Sequence, residues 1–472
     1  MTNDQIIFAV LYFGGIALAA AVCLIFVQAL VVDVESRIGP VLSAMLLPLI
    51  TTGIMVSVLL GNRNLKYAML DARAMGGQVE EGGNLLRLVT VMLLAISFAK
   101  ILGSLARSAM KRRVATDGEH RALFLAMVAF FICTVPLPAI FGTKPAFVHY
   151  SYYAIALFVG AYMSRHEPLP LLLRAAKYLL LAMMLGSLLI APLKPDLVAV
   201  RDYGGSWIPG FNIRLWGLTS NANSIGPLAL TLLLLEMLQP TRRRLFGMMI
   251  VLVSLVVIVL SQSKTAWASA MVATLIISAY RHGQAPGGGV RLGLVATCVL
   301  GLAALASILL FIDVGRVMDK LSFTRAGSDI TTLTGRAAVW GAALETWKAS
   351  PFFGYGPLAW GPEHRMQVGI NFAVHAHNQF MQSLSEAGAF GAIALVIYFC
   401  LLLRASWRAA SRTRGVSLGL MAFIAIRCVS EVPLDMSGAI NGEMIMHLLL
   451  FILLVNEAPD LQREAPRELK HA

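Results

Sequence analysis

Residues 242–264 read RRRLFGMMIVLVSLVVIVLSQSK, an apolar run with three arginines at one end and the polar SQSK at the other. A helix that crosses the hydrocarbon core of a bilayer needs about 20 mostly apolar residues. Arginine and lysine collect in the short loops on the cytoplasmic side of a membrane. This stretch therefore predicts a membrane-spanning helix whose SQSK end faces away from the cytoplasm.

The rest of the chain has the same character. Of its 472 residues, 58% are hydrophobic and only 13% are charged, whereas soluble proteins carry about 25% charged residues. This composition excludes an ordinary cytosolic enzyme, a disordered protein and a secreted disulfide scaffold. The net charge of +13 is distributed between apolar runs. That pattern is expected of cytoplasmic loops that contact anionic lipids, and it argues against nucleic-acid binding.

Apolar runs recur along the chain and predict an all-α integral membrane protein with about 12 transmembrane helices. The candidate spans are residues 6–32, 41–60, 86–105, 121–141, 147–163, 168–192, 224–238, 247–262, 265–281, 292–312, 379–403, 416–431 and 441–456. When the spans alternate, the basic loops at 106–120, 239–245 and 404–414 share one side, which makes that side cytoplasmic. Segments at about 193–223 and at 313–378 then lie on the opposite face.

This pattern divides the chain into four parts. Transmembrane helices occupy 1–312, a long non-cytoplasmic loop occupies 313–378, C-terminal transmembrane helices occupy 379–456, and a flexible cytoplasmic tail occupies 457–472. A loop as long as the second part is expected to hold structure of its own.

Within the long loop, Thr334 can cap a helix that begins near Gly335. Trp340, Leu344 and Trp347 would share one face of that helix. We expect the helix to lie on the membrane surface or to pack on the bundle. The two tryptophans fit packing better than a platform for sugar rings.

Basic side chains on the non-cytoplasmic face predict a site for a phosphate group. Arg214 lies in the polar stretch FNIRLWGLTSNAN over residues 211–223, which also holds Asn212 and Asn223; Lys264 ends SQSK, and Arg336 follows Gly335. The planar fork of arginine binds phosphate oxygens in pairs. Two arginines and a lysine match a pyrophosphate better than a single carboxylate. The alternative is that either arginine anchors the chain to lipid phosphates.

His377 is the candidate general base on the same face. It lies in the run His375, Ala376, His377, Asn378, directly before the span at 379–403. An ordinary histidine pKa of about 6.5 suits proton transfer near neutral pH. On a straight helix Gly388 and Gly391 would lie beneath His377 and let another helix approach closely.

Two further groups of ionisable residues have alternative interpretations. His375 and His377, with His364 nearby, could bind a metal ion, but no carboxylate or cysteine lies at ligand spacing in the sequence. We therefore predict no metal site. Arg427 and Glu431 are functional candidates because they lie at a span end, yet their i, i+4 spacing equally fits a mutual structural pair.

Four motifs resemble, in the same order, those of the superfamily of bacterial O-antigen ligases, O-antigen polymerases and O-oligosaccharyltransferases. They are NIRLWG at 212–217, SQSK at 261–264, TGRAAVWGAALETWKASPFFGYG at 334–356, and His377-Asn378 followed by Gly388 and Gly391. The resemblance covers about residues 200–395. Members often carry arginine where this chain has Lys264. The absence of a large additional C-terminal domain makes the chain more similar to a ligase or polymerase.

The resemblance implies an inverting, metal-independent glycosyltransferase of the O-antigen ligase type in the bacterial inner membrane. Its fold would be related to C-type glycosyltransferases, with a helical periplasmic loop over the active site and no cofactor. The donor would be O-antigen on undecaprenyl pyrophosphate, and the acceptor would be a sugar hydroxyl of lipid A–core. It further implies that His377 is the base and that Arg214 and Arg336 hold the pyrophosphate with Lys264. His375, Asn378, Asn212 and Trp340 would support them.

Two other functions remain open on the sequence. A polymerase would use the same donor with a second lipid-linked oligosaccharide as acceptor. A transporter for an anionic lipid-linked substrate would also suit many spans and basic residues. Transporter sites lie near the bilayer midplane on repeated halves, whereas the polar motifs of this chain lie on one face and no repeat is evident.

Overall fold

The computed structural model describes residues 39–61, 63–67, 84–110, 118–203, 212–283, 336–370 and 373–457. The predicted spans at 6–32 and 292–312, the cap at Thr334 and the tail beyond residue 457 lie outside these residues. Within them the secondary structure is almost all helical, which confirms the predicted all-α class. The exception is a short antiparallel pair of strands, β1 (Ala199–Val200) and β2 (Arg214–Leu215).

The helices follow the predicted apolar runs. In chain order they are α1 (Leu46–Leu60), α2 (Asn84–Met110), α3 (Gly118–Thr134), α4 (Pro136–Phe141), α5 (Tyr153–Met163), α6 (Leu169–Leu193), α7 (Pro195–Val198), α8 (Ala222–Leu238), α9 (Arg244–Ser261), α10 (Lys264–Gly283), α11 (Arg336–Ala349), α12 (Pro362–Gln367), α13 (Gln379–Arg408), α14 (Val416–Ser430) and α15 (Gly442–Val455). Two 3-10 turns, Leu65–Tyr67 and His149–Tyr152, complete the described elements.

Six helical segments in the described residues are long and apolar enough to cross a membrane. They are Gly39–Leu60, Asn84–Leu105, Gly118–Phe141, Leu169–Leu193, Arg244–Ser261 and Gln379–Arg408. The shorter apolar helices α8, α14 and α15 accompany them. The chain is thus a multi-pass membrane protein, as the composition predicts.

Two of these shorter helices, α8 and α15, form the centre of the bundle. Nearly every side chain of both is buried, including Leu230, Leu232, Leu448 and Phe451 at 0% exposure. A helix that is apolar all round must be surrounded by protein or lipid. The outer helices instead expose large apolar side chains such as Leu252 on α9, as expected of a surface in contact with lipid tails.

The basic loops and the polar motifs lie at opposite ends of the bundle. Helix α9 runs from Arg244 to Ser261, and α13 runs from the His377 segment to Arg408. Helix α8 runs from the residue before Asn223 towards the arginines at 242–244. Three helices therefore separate the arginine-rich loops from the polar motifs by the thickness of the bundle.

Helix α13 is broken at Gly388, where φ is 62° and ψ is −156°. The segment at 351–356 occupies the break and pairs with the freed backbone groups: Ala389 N–H donates to Pro351 O, Phe390 N–H to Phe352 O, Tyr355 N–H to Ser385 O and Gly356 N–H to Glu386 O. A Cβ at Gly388 would lie 2.4 Å from the carbonyl carbon of Phe352. Broken helices occur in membranes where another part of the protein satisfies the exposed backbone in this way.

The break alters the role expected for the glycines. Gly388 lies against the 351–354 segment, whereas a straight helix would have presented it to another helix. A Cβ at Gly391 would meet Cys133 O of α3 only at an ordinary contact distance of 3.7 Å, while its tighter neighbours, the Ala387 side chain and Ser383 O, belong to α13 itself. The segment at 351–356 follows α11 in the chain and is hydrogen-bonded to α13. It therefore holds α11, which begins at Arg336, against the helix that follows His377.

Candidate active site

Arg214 is fixed at the mouth of the bundle by strand β2. Its Nε donates to Ser261 O at 3.2 Å, and its Nη2 donates to Asn223 Oδ1 at 2.9 Å. The guanidinium also lies over the Tyr203 ring, 4.8 Å from its centroid. Burial lowers the pKa of Arg214, and the charge of Glu431 offsets part of that effect. The NIRLWG and SQSK motifs and Asn223 at the start of α8 therefore meet at one guanidinium.

The SQSK motif contacts Arg214 through a backbone carbonyl group and the residue before it through the Gln262 side chain. Gln262 ends α9 in a left-handed conformation, with φ of 50°, and its Nε2 donates to Ile213 O at 2.6 Å. This contact holds the strand that carries Arg214. Lys264 is exposed at the start of α10, and Asn212 is exposed beside β2.

Arg63 holds the turn that follows Arg214. Its Nε and Nη2 donate to Leu197 O at 2.9 and 2.6 Å, and Nη2 also donates to Gly217 O at 2.6 Å. Its Nη1 donates to Thr219 O. Burial lowers the pKa of Arg63 to about 10. One guanidinium thus ties the WG turn to the end of α7, and neither its sequence neighbours nor any motif indicates that role.

The His377 segment is held tightly from both sides. Asn378 caps α13 by accepting from Met381 N–H at 3.0 Å. Trp340 Nε1 donates to Ala376 O at 3.0 Å, and Ala376 N–H donates to Gln382 Oε1 at 2.7 Å. His377 itself has a φ of 48°, an uncommon left-handed conformation for a non-glycine residue. Such strain persists where the surrounding contacts impose it.

Glu431 joins the histidines to Arg214. Its Oε2 lies 3.3 Å from His377 Nδ1 and 3.5 Å from His375 Nε2, while its Oε1 accepts from Asn223 Nδ2 at 2.9 Å. The Glu431 side chain is 7% exposed, against 29% for His377. A continuous polar chain therefore runs from His377 through Glu431 and Asn223 to Arg214.

The charges along this line of polar side chains determine the protonation states of Glu431 and His375. Burial by itself raises the pKa of Glu431, but the His377 hydrogen bond and nearby positive charges outweigh it and lower that pKa to about 2. Burial lowers the pKa of His375 to about 4, and the positive charge of Arg336 contributes to this shift. Near neutral pH the site thus contains a carboxylate and a neutral His375, with Arg336 on the histidine side.

The hydrogen bonds also assign the ring protons. A carboxylate is only an acceptor, so Nδ1 of His377 carries the proton that faces Glu431. The unprotonated nitrogen of a neutral His377 is then Nε2. His375 Nδ1 accepts from His377 N–H at 3.1 Å, which leaves its proton on Nε2 towards the same carboxylate. One carboxylate therefore orients both rings.

Arg427 has a partner other than the one that its spacing suggests. Its Nε donates to Glu443 Oε2 at 3.2 Å, and its Nη2 donates to Glu443 Oε1. Glu431 follows the last residue of α14 and has extended backbone, which turns its side chain out of the i, i+4 geometry. Arg427 therefore forms its hydrogen-bonded pair with Glu443, and its charge acts on Glu431 only electrostatically, as one of the causes that lower the pKa of Glu431.

Helix α11 lies beside the histidines and starts at Arg336. Its buried face comprises Val339, Ala343 and Thr346, one residue before each member of the predicted Trp340, Leu344 and Trp347 stripe. Trp340 is half-buried and donates to the His377 segment as described above.

A carboxylate does approach the histidines, although the sequence shows none at ligand spacing. One ligand atom each from His375, His377 and Glu431 lie within 4.8 Å of one another. His364 does not belong to this group. Its Nε2 lies 3.0 Å from Thr346 Oγ1, and its ring stacks on Tyr355 at 3.8 Å, so it supports the packing of the loop.

The sequence therefore misses Glu431 as the central acceptor and Arg63 as the support of the Arg214 turn. Glu431 could have been found from its place at the same bundle end as His377, since an ionisable residue there needs a partner. Arg63 gives no comparable signal, because its partners are backbone carbonyl groups.

Comparison with known proteins agrees with these motifs. Comparison with curated proteins gives no significant match. Residues 249–396, which include SQSK, α11 and the His377 segment, match the family model described as O-antigen ligase. Through these residues, the match supports assignment of the chain to the O-antigen ligase family.

Proposed function

We propose that the chain is an O-antigen ligase that transfers polysaccharide from undecaprenyl pyrophosphate to a sugar hydroxyl of lipid A–core. The observation that carries the proposal is the polar chain His377–Glu431–Asn223–Arg214. It links a histidine that can accept a proton to an arginine that can bind a phosphate. The family match supports the same class of reaction.

His377 is the base in this proposal. Its Nδ1–H is held by the Glu431 carboxylate, so Nε2 is the nitrogen that takes the proton of the acceptor hydroxyl. The hydroxyl oxygen then forms a bond to the anomeric carbon of the donor sugar. Glu431 stabilises the imidazolium that results, as the carboxylate of a catalytic triad does. The imidazolium then gives its Nε2 proton to solvent, which restores the neutral ring for the next transfer.

Arg214 binds the leaving group. As the bond between the anomeric carbon and the pyrophosphate breaks, its electron pair remains on the phosphate oxygen. A guanidinium already fixed by Ser261 and Asn223 stabilises this charge without reorganising. Arg336 and Lys264 add positive charge at the same end of the bundle. Inversion of the anomeric centre requires the hydroxyl to attack from the face opposite the pyrophosphate, so His377 acts on one side of the sugar and Arg214 holds the leaving group on the other.

The site faces the periplasm in this proposal, and the protein lies in the bacterial inner membrane. The arginine-rich loops lie at the other end of α8, α9 and α13, and such loops remain cytoplasmic. Both substrates are lipids, so a site at the end of the bundle can accept their sugars while their tails stay in the bilayer.

The test is reconstitution of the purified protein with undecaprenyl-pyrophosphate-linked polysaccharide and lipid A–core in the presence of EDTA. Transfer is read as a shift of lipid A–core to high mass on a gel. We expect transfer by the wild type and by His149→Ala, which removes an exposed histidine, and none by His377→Ala. Thermal unfolding in detergent verifies that each variant is folded.

The outcomes separate the alternatives. Full activity of a folded His377→Ala would exclude the assigned base. Polymer growth on lipid-linked repeats alone, without a shift of lipid A–core, would identify a polymerase. If neither reaction occurs, movement of the lipid-linked donor across the liposome bilayer would identify a transporter.

A further inference from the structure

The two histidines and Glu431 have the spacing of metal ligands. Zn²⁺ binds nitrogen and carboxylate oxygen at about 2.0–2.2 Å in tetrahedral sites. Two ligands of one tetrahedral ion are then about 3.3–3.6 Å apart, since a tetrahedron's edge is about 1.63 times its centre-to-vertex distance. Glu431 Oε2 lies 3.3 Å from His377 Nδ1 and 3.5 Å from His375 Nε2. Both distances therefore fall within the range of such an edge.

The surroundings favour an ion with a preference for imidazole. Two histidines and one carboxylate match Zn²⁺ or Cu²⁺, whereas Mg²⁺ and Ca²⁺ take oxygen ligands. Asn223 Nδ2 donates to Glu431 Oε1, which orients the carboxylate from behind as second-shell partners of metal ligands do. One nitrogen of each ring also lies within 4.8 Å of the other ring's nitrogen, so a small movement of the rings completes the set.

We propose that His375, His377 and Glu431 bind one Zn²⁺ or Cu²⁺ ion, and that the bound ion inhibits the enzyme. Three protein ligands leave a fourth position for water. Coordination through Nδ1 of His377 replaces the Nδ1–H···Glu431 hydrogen bond and moves the ring proton to Nε2. A protonated Nε2 cannot accept the proton of the acceptor hydroxyl.

Coordination changes His375 in the same sense. Its Nε2 binds the ion, and its proton moves to Nδ1, where it meets His377 N–H. The contact of 3.1 Å between His377 N and His375 Nδ1 must then open. The ion therefore both blocks the base and releases the left-handed turn at His377. The inhibitory effect rests on the proposed function, whereas binding of the metal does not.

The first test measures binding alone. The purified protein, freed of metal with EDTA and then of EDTA, is titrated with Zn²⁺ by calorimetry and with Co²⁺ by its visible absorption spectrum. We expect one ion per chain. His375→Gln, His377→Gln and Glu431→Gln should each weaken binding about tenfold or more, while His149→Gln, a matched change of an exposed histidine, should not. Equal affinity in all variants would overturn the proposal.

The second test adds Zn²⁺ to the transfer assay described above, without EDTA. Transfer should fall by half near the Zn²⁺ concentration that half-saturates the site, and excess EDTA should restore it. Zn²⁺ bound at the three ligands with unchanged transfer would overturn the inhibitory role. If the metal-free wild type transfers nothing yet binds Zn²⁺ through these ligands, the proposed function fails and the metal site stands.

Discussion

His377 and Glu431 are 54 positions apart in the sequence, and their side chains meet with 3.3 Å between Nδ1 and Oε2. Glu431 is the more deeply buried of the two, and it also holds Asn223 and, through it, Arg214. The carboxylate therefore determines which ring nitrogen of His377 is protonated, and it links His377, the proposed base, to Arg214, the proposed ligand of the pyrophosphate.

Replacement of this carboxylate by an amide should abolish most of the activity. In Glu431→Gln the amide can present either an acceptor or a donor to His377, so the productive tautomer is no longer imposed. We expect the rate of transfer at saturating substrate to fall between about 10²- and 10⁴-fold. Initial rates in the reconstituted system measure this.

Asp435→Asn is the matched control for that change. Asp435 lies four positions beyond Glu431, and its carboxylate accepts from Ser437. Its side chain makes no contact with His377 among the described hydrogen bonds. This variant should retain activity close to the wild type. A rate for Glu431→Gln within about threefold of the Asp435→Asn rate would refute the role of Glu431.

Arg63 should act through Arg214 and not on the substrate directly. Its guanidinium holds the carbonyl groups of Leu197, Gly217 and Thr219 at once. We expect Arg63→Met to raise the KM for the donor about tenfold or more with little change in the KM for the acceptor, because a displaced arginine binds the pyrophosphate poorly. Kinetics with each substrate varied in turn separate the two constants.

Arg63→Lys should recover only part of the loss, since one ammonium group cannot reach three carbonyl groups in the geometry of a guanidinium. Arg174→Met, at an exposed arginine on α6, should leave both constants unchanged. An unaltered donor KM in Arg63→Met, with a lower yield of folded protein, would mean that Arg63 serves stability alone.

His375 should make the folded state sensitive to acid. Its pKa is lowered from an ordinary 6.5 to about 4, mainly by burial and partly by the charges of His377, Arg427 and Arg336. Between pH 6.5 and pH 4 the unfolded chain binds a proton at this residue that the folded chain does not. Stability contributed by the neutral ring is therefore complete above pH 6.5 and is lost as the pH falls towards 4.

Thermal unfolding in detergent from pH 7.5 to pH 4.5 tests this dependence. The wild type should lose more of its Tm over that range than His375→Gln, which does not titrate. His149→Gln should follow the wild type, because that ring is exposed. Identical curves for wild type and His375→Gln would show that the folded and unfolded states protonate His375 alike.

The positions of the helices can be predicted from the sequence because an apolar run is a property of neighbouring residues. The predicted runs at 247–262 and 416–431 fall on α9 and α14 within a few residues. The site residues that carry local motifs, Arg214 and His377, also lie at one end of the bundle. The pairing of Glu431 with His377 was out of reach, because it depends on where α14 stops and on how two distant helices pack.

The break in α13 was equally out of reach. If α13 were a regular helix, Gly388 would lie on the same side of it as His377. The observed conformation at Gly388 instead depends on hydrogen bonds with the backbone of the segment at 351–356. That segment and Gly388 are separated by the whole His377 loop, so only the folded chain reveals that their backbones exchange hydrogen bonds.

Gly388→Ala should accordingly be among the most destabilising small changes in the chain. A φ of 62° with ψ of −156° belongs to a region that is essentially restricted to glycine and costs about 1–3 kcal/mol for other residues. The added Cβ would also lie 2.4 Å from the carbonyl carbon of Phe352, so the segment at 351–356 must move away. We expect a lower Tm and a loss of transfer, because displacement of that segment shifts α11, with Arg336 and Trp340, relative to His377.

Gly341→Ala is the matched control, because the same methyl group at that helical position meets nothing within 4 Å. Alanine favours an exposed helix by about 1 kcal/mol over glycine, so this variant should keep or raise the Tm and retain activity. A lower Tm for Gly388→Ala together with an equal or higher Tm for Gly341→Ala would attribute the effect at Gly388 to the break itself. Equal and small changes in both would mean that α13 can close into a regular helix without the segment at 351–356.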